Sequence, residues 1–338
     1  MKKNIDYNKK IAFFMVILLY FTIIPLNGCS RNEPISKAGF YFDTVIMITL
    51  YDESQEYLLD ECFAMADRYE QLFSATLAGS DISHINESGG EPVTVSDETI
   101  ELLKKGIAYG ELSEGRFDIT IGALSSLWNF SENSGVVPEQ ADIDAALQTV
   151  DYHGIQIDGN TVTLTNPDTR IDLGGIAKGY IADQMKKYLC EQNASSGIIN
   201  LGGNVLVIGS KTDGTAYTIG IQKPFEDTGT AIASLQIADQ SLVSSGIYER
   251  YFMVDNNLYH HILDPKTGYP YHNDLLGVSI LCDSSVDGDA LSTTAFSMGL
   301  SEGMDFIESL PDTEAIFITE DNEIHTTSGI SSEMIKTY

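Results

Sequence analysis

The chain has 338 residues and 43% hydrophobic composition, enough for a substantial core in one large unit of helices and strands or in two closely packed domains. It carries 19 basic and 49 acidic residues, a formal net charge of −30. So acidic a surface repels nucleic acid and anionic lipid head groups, which argues against a polyanion-binding protein.

The first 30 residues have the pattern of a bacterial export signal. Four lysines precede an apolar run from Ile11 to Ile24 that is too short for a comfortable membrane span, and Leu26-Asn27-Gly28-Cys29 follows. This ending resembles the lipobox of bacterial lipoproteins, in which the cysteine is lipidated and becomes the new N-terminus. The alternative is an uncleaved signal anchor with an incidental cysteine.

These features predict an exported protein that is lipid-anchored through Cys29 to the outer face of the bacterial cell membrane. Cleavage before Cys29 leaves 15 basic and 48 acidic residues, a net charge of −33. Three further cysteines lack metal-type spacing and predict neither a disulfide framework nor a zinc site. The predicted organisation is a signal peptide over residues 1–28, a tether over 29–40 and one domain over 41–338.

Helices and strands alternate irregularly along the predicted domain. Helices are expected over Ser54–Phe73, from an N-cap at Ser96, within Val137–Val150, from the Asp172 turn to about Gln192, and over Ala290–Met298. Strands are expected over Asp43–Tyr51, Gly197–Ile208, Ala216–Gln222, Ile232–Ala238, Tyr251–Val254, Tyr259–Leu263 and Leu276–Cys282. Because this order is not a regular βαβ repeat and no G-x-G-x-x-G follows a strand, we predict an α+β fold rather than a Rossmann sheet.

Residues Asp172 to Tyr180 read DLGGIAKGY, a Gly-Gly turn that leads into a helix with Lys178 in its first turn. Free N–H groups at a helix start attract phosphate, and glycine lets the backbone approach it closely. The segment therefore indicates an anion site. The alternative is a strand-to-helix turn whose glycines only permit tight packing.

A possible cation site follows near the C-terminus, where DGDALSTT begins at Asp287 and no Lys or Arg occurs from Thr267 to Ile335. On a helix, Asp289 and Thr293 lie four residues apart and project from the same face. Oxygen ligands of this kind favour Mg²⁺. The alternative is Asp289 as an N-cap and Thr293 as a packed helix residue.

Three further motifs lie between these two segments. Tyr259 to Pro270 read YHHILDPKTGYP, and strand alternation points His260 and His261 to opposite faces, so that one of them can face a site. NLGGN, which begins at Asn200, predicts a second Gly-Gly turn, and SGIYERY, which begins at Ser245, predicts a Ser-Gly turn and contains Arg250. Arg250 can pair with phosphate or with a neighbouring carboxylate.

Taken in order, DLGGIAKGY, NLGGN, SGIYERY, YHHILDPKTGYP and DGDALSTT resemble the ApbE family, the FAD:protein FMN transferases. LFSATLAGSDISHIN (72–86) and GRFDITIGALSSLW (115–128) match the family too, so the similarity spans the chain from about residue 40. The chain departs from the family near Ser74, where Thr76 stands in place of the usual aromatic residue.

The resemblance implies a T-fold-like α+β architecture of two intimately packed lobes, with FAD in the cleft between them and its pyrophosphate bridged by Mg²⁺. The implied metal ligands are the Ala177 carbonyl, Asp289 and Thr293. The implied flavin and nucleotide contacts are Ser80, Thr120, Lys178, Asp183, Gly203, Ser245, Gly246 and His261. His261 is also expected to activate the acceptor as a base or to orient a neighbouring group.

The implied reaction is attack by a Thr or Ser hydroxyl of an acceptor flavoprotein on the FMN-side phosphorus of FAD, with release of AMP. The family suggests respiratory or redox-driven ion-pumping subunits and extracellular electron-transfer flavoproteins as acceptors. Two alternatives stay open at the level of the sequence. One is an FAD pyrophosphatase that yields FMN and AMP, and the other is a non-catalytic FAD-binding lipoprotein.

Overall fold

An eight-stranded antiparallel sheet organises the fold of the computed structural model, which describes residues 33–130 and 135–338. The strands are β1 Ile35–Tyr41, β2 Thr44–Leu50, β3 Val93–Thr94, β4 Ile155–Asp158, β5 Thr161–Leu164, β6 Ser196–Leu201, β7 Asn204–Gly209, β8 Tyr217–Gln222, β9 Ala231–Ile237, β10 Ser241–Gly246, β11 Tyr251–Val254, β12 Asn257–His260, β13 Leu275–Cys282, β14 Glu314–Thr319, β15 Ile324–Thr326 and β16 Ile335–Thr337. The helices are α1 Glu56–Phe73, α2 Asp81–Glu87, α3 Asp97–Leu112, α4 Gly122–Trp128, α5 Gln140–Leu147, α6 Ala177–Glu191 and α7 Ser285–Glu308.

The large sheet has the strand order β1-β2-β6-β7-β10-β13-β14-β15 and is covered on both faces. Helices α1, α6 and α7 pack on one face, and the three-stranded sheet β16-β9-β8 packs on the other through a shared apolar cluster. All eight residues of β13 are buried, as expected for a strand enclosed by two layers. The mixed α and β composition predicted from the sequence is confirmed.

Smaller elements complete the fold. Strands β3, β5 and β4 form a three-stranded sheet, and β11 pairs with β12 as a hairpin. Trp128 at the end of α4 is fully buried, and its Nε1–H donates to the carbonyl of Gly268 at 2.8 Å. This bond joins α4 to the turn that follows the two histidines.

The expected helices and most expected strands are present, with differences at their ends. The Ser96 N-cap is confirmed, because its Oγ accepts a hydrogen bond from the Thr99 N–H. The tether expected over 29–40 is wrong in its C-terminal part, where β1 pairs with β2 from Ile35 onward. The sequence of β1 lacks a regular apolar alternation because β1 is an edge strand, so its pattern did not reveal it.

Two corrections concern the segments that carry the motifs. Helix α7 begins at Ser285 after an N-cap at Ser284, five residues before the expected start, so Asp289 lies inside the helix and is not an N-cap. The helix continues to Glu308 across a break at Gly299, where φ is +76°. Ser245 and Gly246, which the sequence predicted as a turn, are the last residues of β10.

The predicted signal peptide and the predicted lipidation site Cys29 lie outside the residues that the structure describes. Residues 34–338 form one compact unit. Within the described ranges, no helix is long and apolar enough to cross a membrane.

Candidate active site

The centre of the site is the crossing of α6 and α7. A Cβ on Gly179 in the first turn of α6 would lie 2.6 Å from the Val286 Cα, so only glycine permits this approach. The Gly179 N–H donates to Asp289 Oδ2 at 2.9 Å. A free N–H at the start of α6 is thereby satisfied by a carboxylate of α7.

Asp289 and Thr293 present oxygen atoms to the turn before α6. Asp289 is only 3% exposed, and its Oδ1 lies 3.8 Å from the Lys178 Nζ. Thr293 Oγ1 lies 3.4 Å from Ser245 Oγ and 4.0 Å from the position of a Cβ on Gly175. The pair predicted from spacing alone therefore meets the glycine turn and the end of β10 in three dimensions.

The glycine turn is held in shape by Asp172. Its Oδ1 accepts from the Gly174 N–H at 2.8 Å, and its Oδ2 accepts from Ser125 Oγ at 2.8 Å. Lys178 Nζ donates to the Gly174 carbonyl at 3.0 Å, so the lysine folds back over the turn. The ammonium group thus stands between the turn and Asp289.

The donor set of this site fits a hard divalent cation. Asp289 Oδ1 and Thr293 Oγ1 supply oxygen atoms of the kind that such cations bind, and the buried residue Ala177 starts α6 between the Gly175 turn and Gly179. The described parts of the chain contain no group of three or more His, Cys, Asp or Glu side chains that could hold a metal ion. Any cation here would therefore also need carbonyl, hydroxyl or ligand oxygens, as Mg²⁺ in phosphate sites does.

A group of titratable side chains borders the same site. Glu249 keeps contact with solvent, yet desolvation by the surrounding protein raises its pKa to about 7, against the opposing effect of the Lys178 and Arg250 charges. Burial also holds the pKa of His261 well below its usual value, and the charge of Arg250 lowers it further. His261 is therefore neutral at pH 7, and its Nδ1 lies 3.3 Å from the Arg250 carbonyl.

Comparison with known proteins identifies the family of this chain. The family model of the ApbE family matches residues 42–317. The chain belongs to the ApbE family. It is 38% identical to an FAD:protein FMN transferase of Klebsiella pneumoniae over 87% of this chain and 92% of that protein. It is 30% identical to one of Treponema pallidum over 90% of this chain and 89% of that protein.

Solved ApbE structures share the fold. An ApbE protein of Thermotoga maritima aligns with a TM-score of 0.82 at 30% identity, covering 88% of this chain and 98% of that one. The flavin transferase ApbE of Vibrio cholerae aligns with a TM-score of 0.78 at 27% identity, covering 88% and 97%. The ApbE architecture expected from the sequence is thereby confirmed.

Two hydroxyls that the ApbE resemblance assigned to FAD are committed to the protein itself. Ser80 is buried at the N-cap of α2, where its Oγ donates to the Ser74 carbonyl at 2.5 Å and accepts from the Ser83 N–H. Thr120 is buried too, and its Oγ1 donates to Asp118 Oδ1 and accepts from the Asp151 N–H. These contacts give both residues a structural role, and their expected contact with the cofactor stays a prediction.

Asp183, another expected cofactor contact, is also hydrogen-bonded within the protein, and its contact with the cofactor stays a prediction. Its carboxylate accepts from the N–H groups of Ser285 and Val286 at 2.8 and 2.9 Å, which are free N–H groups at the start of α7. Burial nevertheless raises the pKa of the Asp183 carboxyl. Asp183 thus fixes the start of α7, the helix that carries Asp289, against α6.

The turn between β6 and β7 contains Gly203 and leads to a buried polar residue whose role the sequence pattern did not reveal. Gly203 has φ of +101° and is exposed, with open space at its Cβ position. The next residue, Asn204, is buried, and its Nδ2 has no hydrogen-bond partner among the described residues. Pairing of β7 with β10 places this turn at the same end of the sheet as Ser245 and Gly246. Glu249 was overlooked as well, because only the folded chain brings it near Lys178.

Proposed function

We propose that this chain transfers the FMN moiety of FAD to a Thr or Ser hydroxyl of an acceptor flavoprotein in an Mg²⁺-dependent reaction and releases AMP. The relatives that it matches over nearly their whole length are named FAD:protein FMN transferases. The observation that carries the proposal is the buried Asp289, which with Thr293 faces the glycine turn at the start of α6.

The residues of the chain divide the work of phosphoryl transfer. The N-terminus of α6, Lys178 and Arg250 attract the diphosphate of FAD into an otherwise acidic protein. Ala177, Asp289 and Thr293 would hold Mg²⁺, which neutralises charge on the diphosphate when bound. Most of the rate enhancement then comes from positioning and from charge stabilisation.

Proton transfer falls to His261 in this proposal. With Nδ1–H donating to the Arg250 carbonyl, the neutral ring keeps a free lone pair on Nε2. Nε2 takes the proton of the attacking hydroxyl as its oxygen bonds to the FMN-side phosphorus. The bond from that phosphorus to the bridging oxygen breaks, and AMP leaves with the electron pair.

Incubation of the purified protein with FAD, Mg²⁺ and a flavin-free acceptor domain tests this function. We expect mass spectrometry to find FMN covalently bound to the acceptor and one AMP released for each adduct. Parallel reactions lack the acceptor, contain excess chelator, or use Asp289→Asn. AMP and FMN release without an adduct would identify a hydrolase, and FAD binding without any AMP would identify a binding protein.

We also propose that the protein is exported and anchored by lipid on Cys29. The basic start, the apolar run and the Leu26–Cys29 ending support this location. Membrane fractionation and lipid labelling of the wild type and Cys29→Ala test this location. The wild type is expected in the membrane fraction and labelled with lipid, and the variant is expected not to be lipidated. Equal lipid labelling of both would contradict it.

A further inference from the structure

An exposed apolar patch lies beside the proposed transfer site. It consists of Phe225, Tyr251 and Met253, which are 46%, 37% and 53% exposed. The rings of Phe225 and Tyr251 meet edge to face with centroids 5.2 Å apart. Tyr251 and Met253 are two residues apart on β11 and so project from the same face of that strand. We name these three side chains the aromatic patch.

The aromatic patch is connected to the site through Tyr248. The Tyr248 ring packs against Phe225 with centroids 6.2 Å apart, and its Cζ lies 2.5 Å from the position of a Cβ on Gly246. Gly246 follows Ser245, whose Oγ is 3.4 Å from Thr293 Oγ1. The patch also adjoins Arg250, whose carbonyl contacts His261. A protein bound on the patch would therefore stand at the edge of the reacting groups.

The loop that carries Phe225 is held rigidly. Gln222 Nε2 donates to the carbonyls of Lys223, Glu226 and Asp227, and its Oε1 accepts from the Gly229 N–H at 2.9 Å. Phe225 itself has φ of +58°, a left-handed conformation that is costly for a bulky residue. A strained, exposed aromatic side chain in a fixed loop is preorganised for binding, because little conformational entropy is lost on contact.

We propose that the aromatic patch is the docking surface for the acceptor flavoprotein, and this inference rests on the proposed transfer function. The expected occupant is an acceptor segment with apolar side chains next to its target hydroxyl. Because the chain has a net charge of −30, a charged docking surface would require a strongly basic partner, whereas an apolar surface does not. Contiguous exposed apolar side chains mark interaction surfaces in soluble proteins.

The test measures acceptor binding separately from transfer. A fluorescently labelled, flavin-free acceptor domain carrying one target threonine is titrated with the FAD-loaded wild type, Phe225→Asn and Met253→Ser. Asparagine tolerates positive φ, so Phe225→Asn removes the ring without adding backbone strain. Phe40→Ser is the matched control, because Phe40 is 68% exposed on β1, outside the patch.

We expect each patch variant to weaken acceptor binding at least tenfold, to raise the KM for the acceptor and to leave FAD affinity within twofold. Phe40→Ser should bind as the wild type does. Unchanged acceptor affinity in the patch variants, equal weakening by Phe40→Ser, or no acceptor binding by the wild type would overturn the docking surface. Loss of FAD affinity instead would mean that the patch holds the flavin. Acceptor binding without an FMN adduct would refute the transfer function and leave the docking surface intact.

Discussion

The backbone N–H of Gly179 and the carboxylate of Asp289 form a 2.9 Å hydrogen bond that joins the start of α6 to the second turn of α7. The bond uses one oxygen of a buried carboxylate and leaves the other, Oδ1, directed to the side where Lys178 lies at 3.8 Å. One residue thus satisfies a helix N-terminus and, in the proposed mechanism, offers an oxygen atom to the cation. These two roles can be separated by mutation.

Asp289→Asn should separate them. The asparagine carbonyl can still accept from Gly179, while its NH₂ group replaces the oxygen offered to the cation. We expect FMN transfer to fall at least about 100-fold, with a change in unfolding free energy below about 1 kcal/mol. Transfer rates as a function of Mg²⁺ concentration and chemical denaturation give the two readings. Wild-type transfer rates at ordinary Mg²⁺ would remove Asp289 from the mechanism.

Gly179→Ala should damage the helix crossing itself. The added methyl group would meet the backbone of Ser285 and Val286 at 2.6 Å, and backbone cannot move aside as a side chain can. We expect a loss of about 1–3 kcal/mol in unfolding free energy. Because the crossing positions Asp289, the affinity for Mg²⁺ should fall as well. Gly220→Ala is the control, since its new Cβ would find the Ala231 Cβ at an ordinary 3.5 Å. Equal stability of the two variants would contradict this account of the crossing.

Several parts of this arrangement could be predicted from the sequence because their signals are local. The Ser96 cap and the apolar stripe of α1 define helices without reference to the rest of the chain. Asp289 and Thr293 share a helix face by spacing alone. Strand β10 was missed because four of its six residues are Ser or Gly, which resemble a turn, although the strand lies inside the large sheet.

The roles of individual polar groups could not be predicted in the same way. Whether a hydroxyl faces a ligand depends on its neighbours in space, and Ser80 and Thr120 find theirs within the protein. Asp183 resembles a ligand contact in the motif, yet its partners come from about 100 residues further along the chain. The electrostatic environment of Glu249 likewise arises from Lys178 and Asp289, which lie on two different helices.

Glu249 should make FAD binding depend on pH near neutrality. Its pKa is raised to about 7, so it is neutral below that pH and negative above it. The charged form of Glu249 repels the diphosphate and competes with it for Lys178 and Arg250. The Asp289 carboxylate adds to the same negative potential. We expect the Kd for FAD without divalent cation to rise about 3- to 10-fold from pH 6 to pH 8.

Fluorescence titration of FAD over this pH range gives the measurement. Glu249→Gln should flatten the profile at the tighter, low-pH affinity. Glu302→Gln, which alters an exposed carboxylate paired with Arg116, should keep the wild-type profile. A pH dependence that persists unchanged in Glu249→Gln would assign it to another group.

His261→Ala should reduce FMN transfer by about 10² to 10⁴ if the imidazole accepts the proton of the acceptor hydroxyl. Because the pKa of His261 is held well below its usual value, the ring stays neutral between pH 8 and pH 6.5, so protonation of this residue should not lower the wild-type rate over that range. Steady-state kinetics with FAD and acceptor varied separately give the measurement. A loss below threefold in kcat would leave His261 with a structural role only.

His260 should couple folding stability to pH. It is buried, its Nε2–H donates to the Tyr271 carbonyl at 2.9 Å, and its Nδ1 accepts from the Ile262 N–H at 3.3 Å, so the folded protein requires the neutral ring. Burial lowers its pKa from 6.5 to about 4. Between these values the unfolded chain binds a proton that the folded chain excludes. Stability is therefore complete above pH 6.5 and is lost as pH falls towards 4, by on the order of 3 kcal/mol.

His260→Gln isolates this contribution from the other acid-sensitive groups. The glutamine NH₂ can still donate to the Tyr271 carbonyl but does not titrate. We expect the difference in unfolding free energy between wild type and variant, measured by urea denaturation, to favour the wild type at pH 7 and to shrink or reverse at pH 4.5. A difference that stays constant over this range would mean that His260 binds its proton equally well in the folded and unfolded chains, and would contradict the burial of a neutral ring.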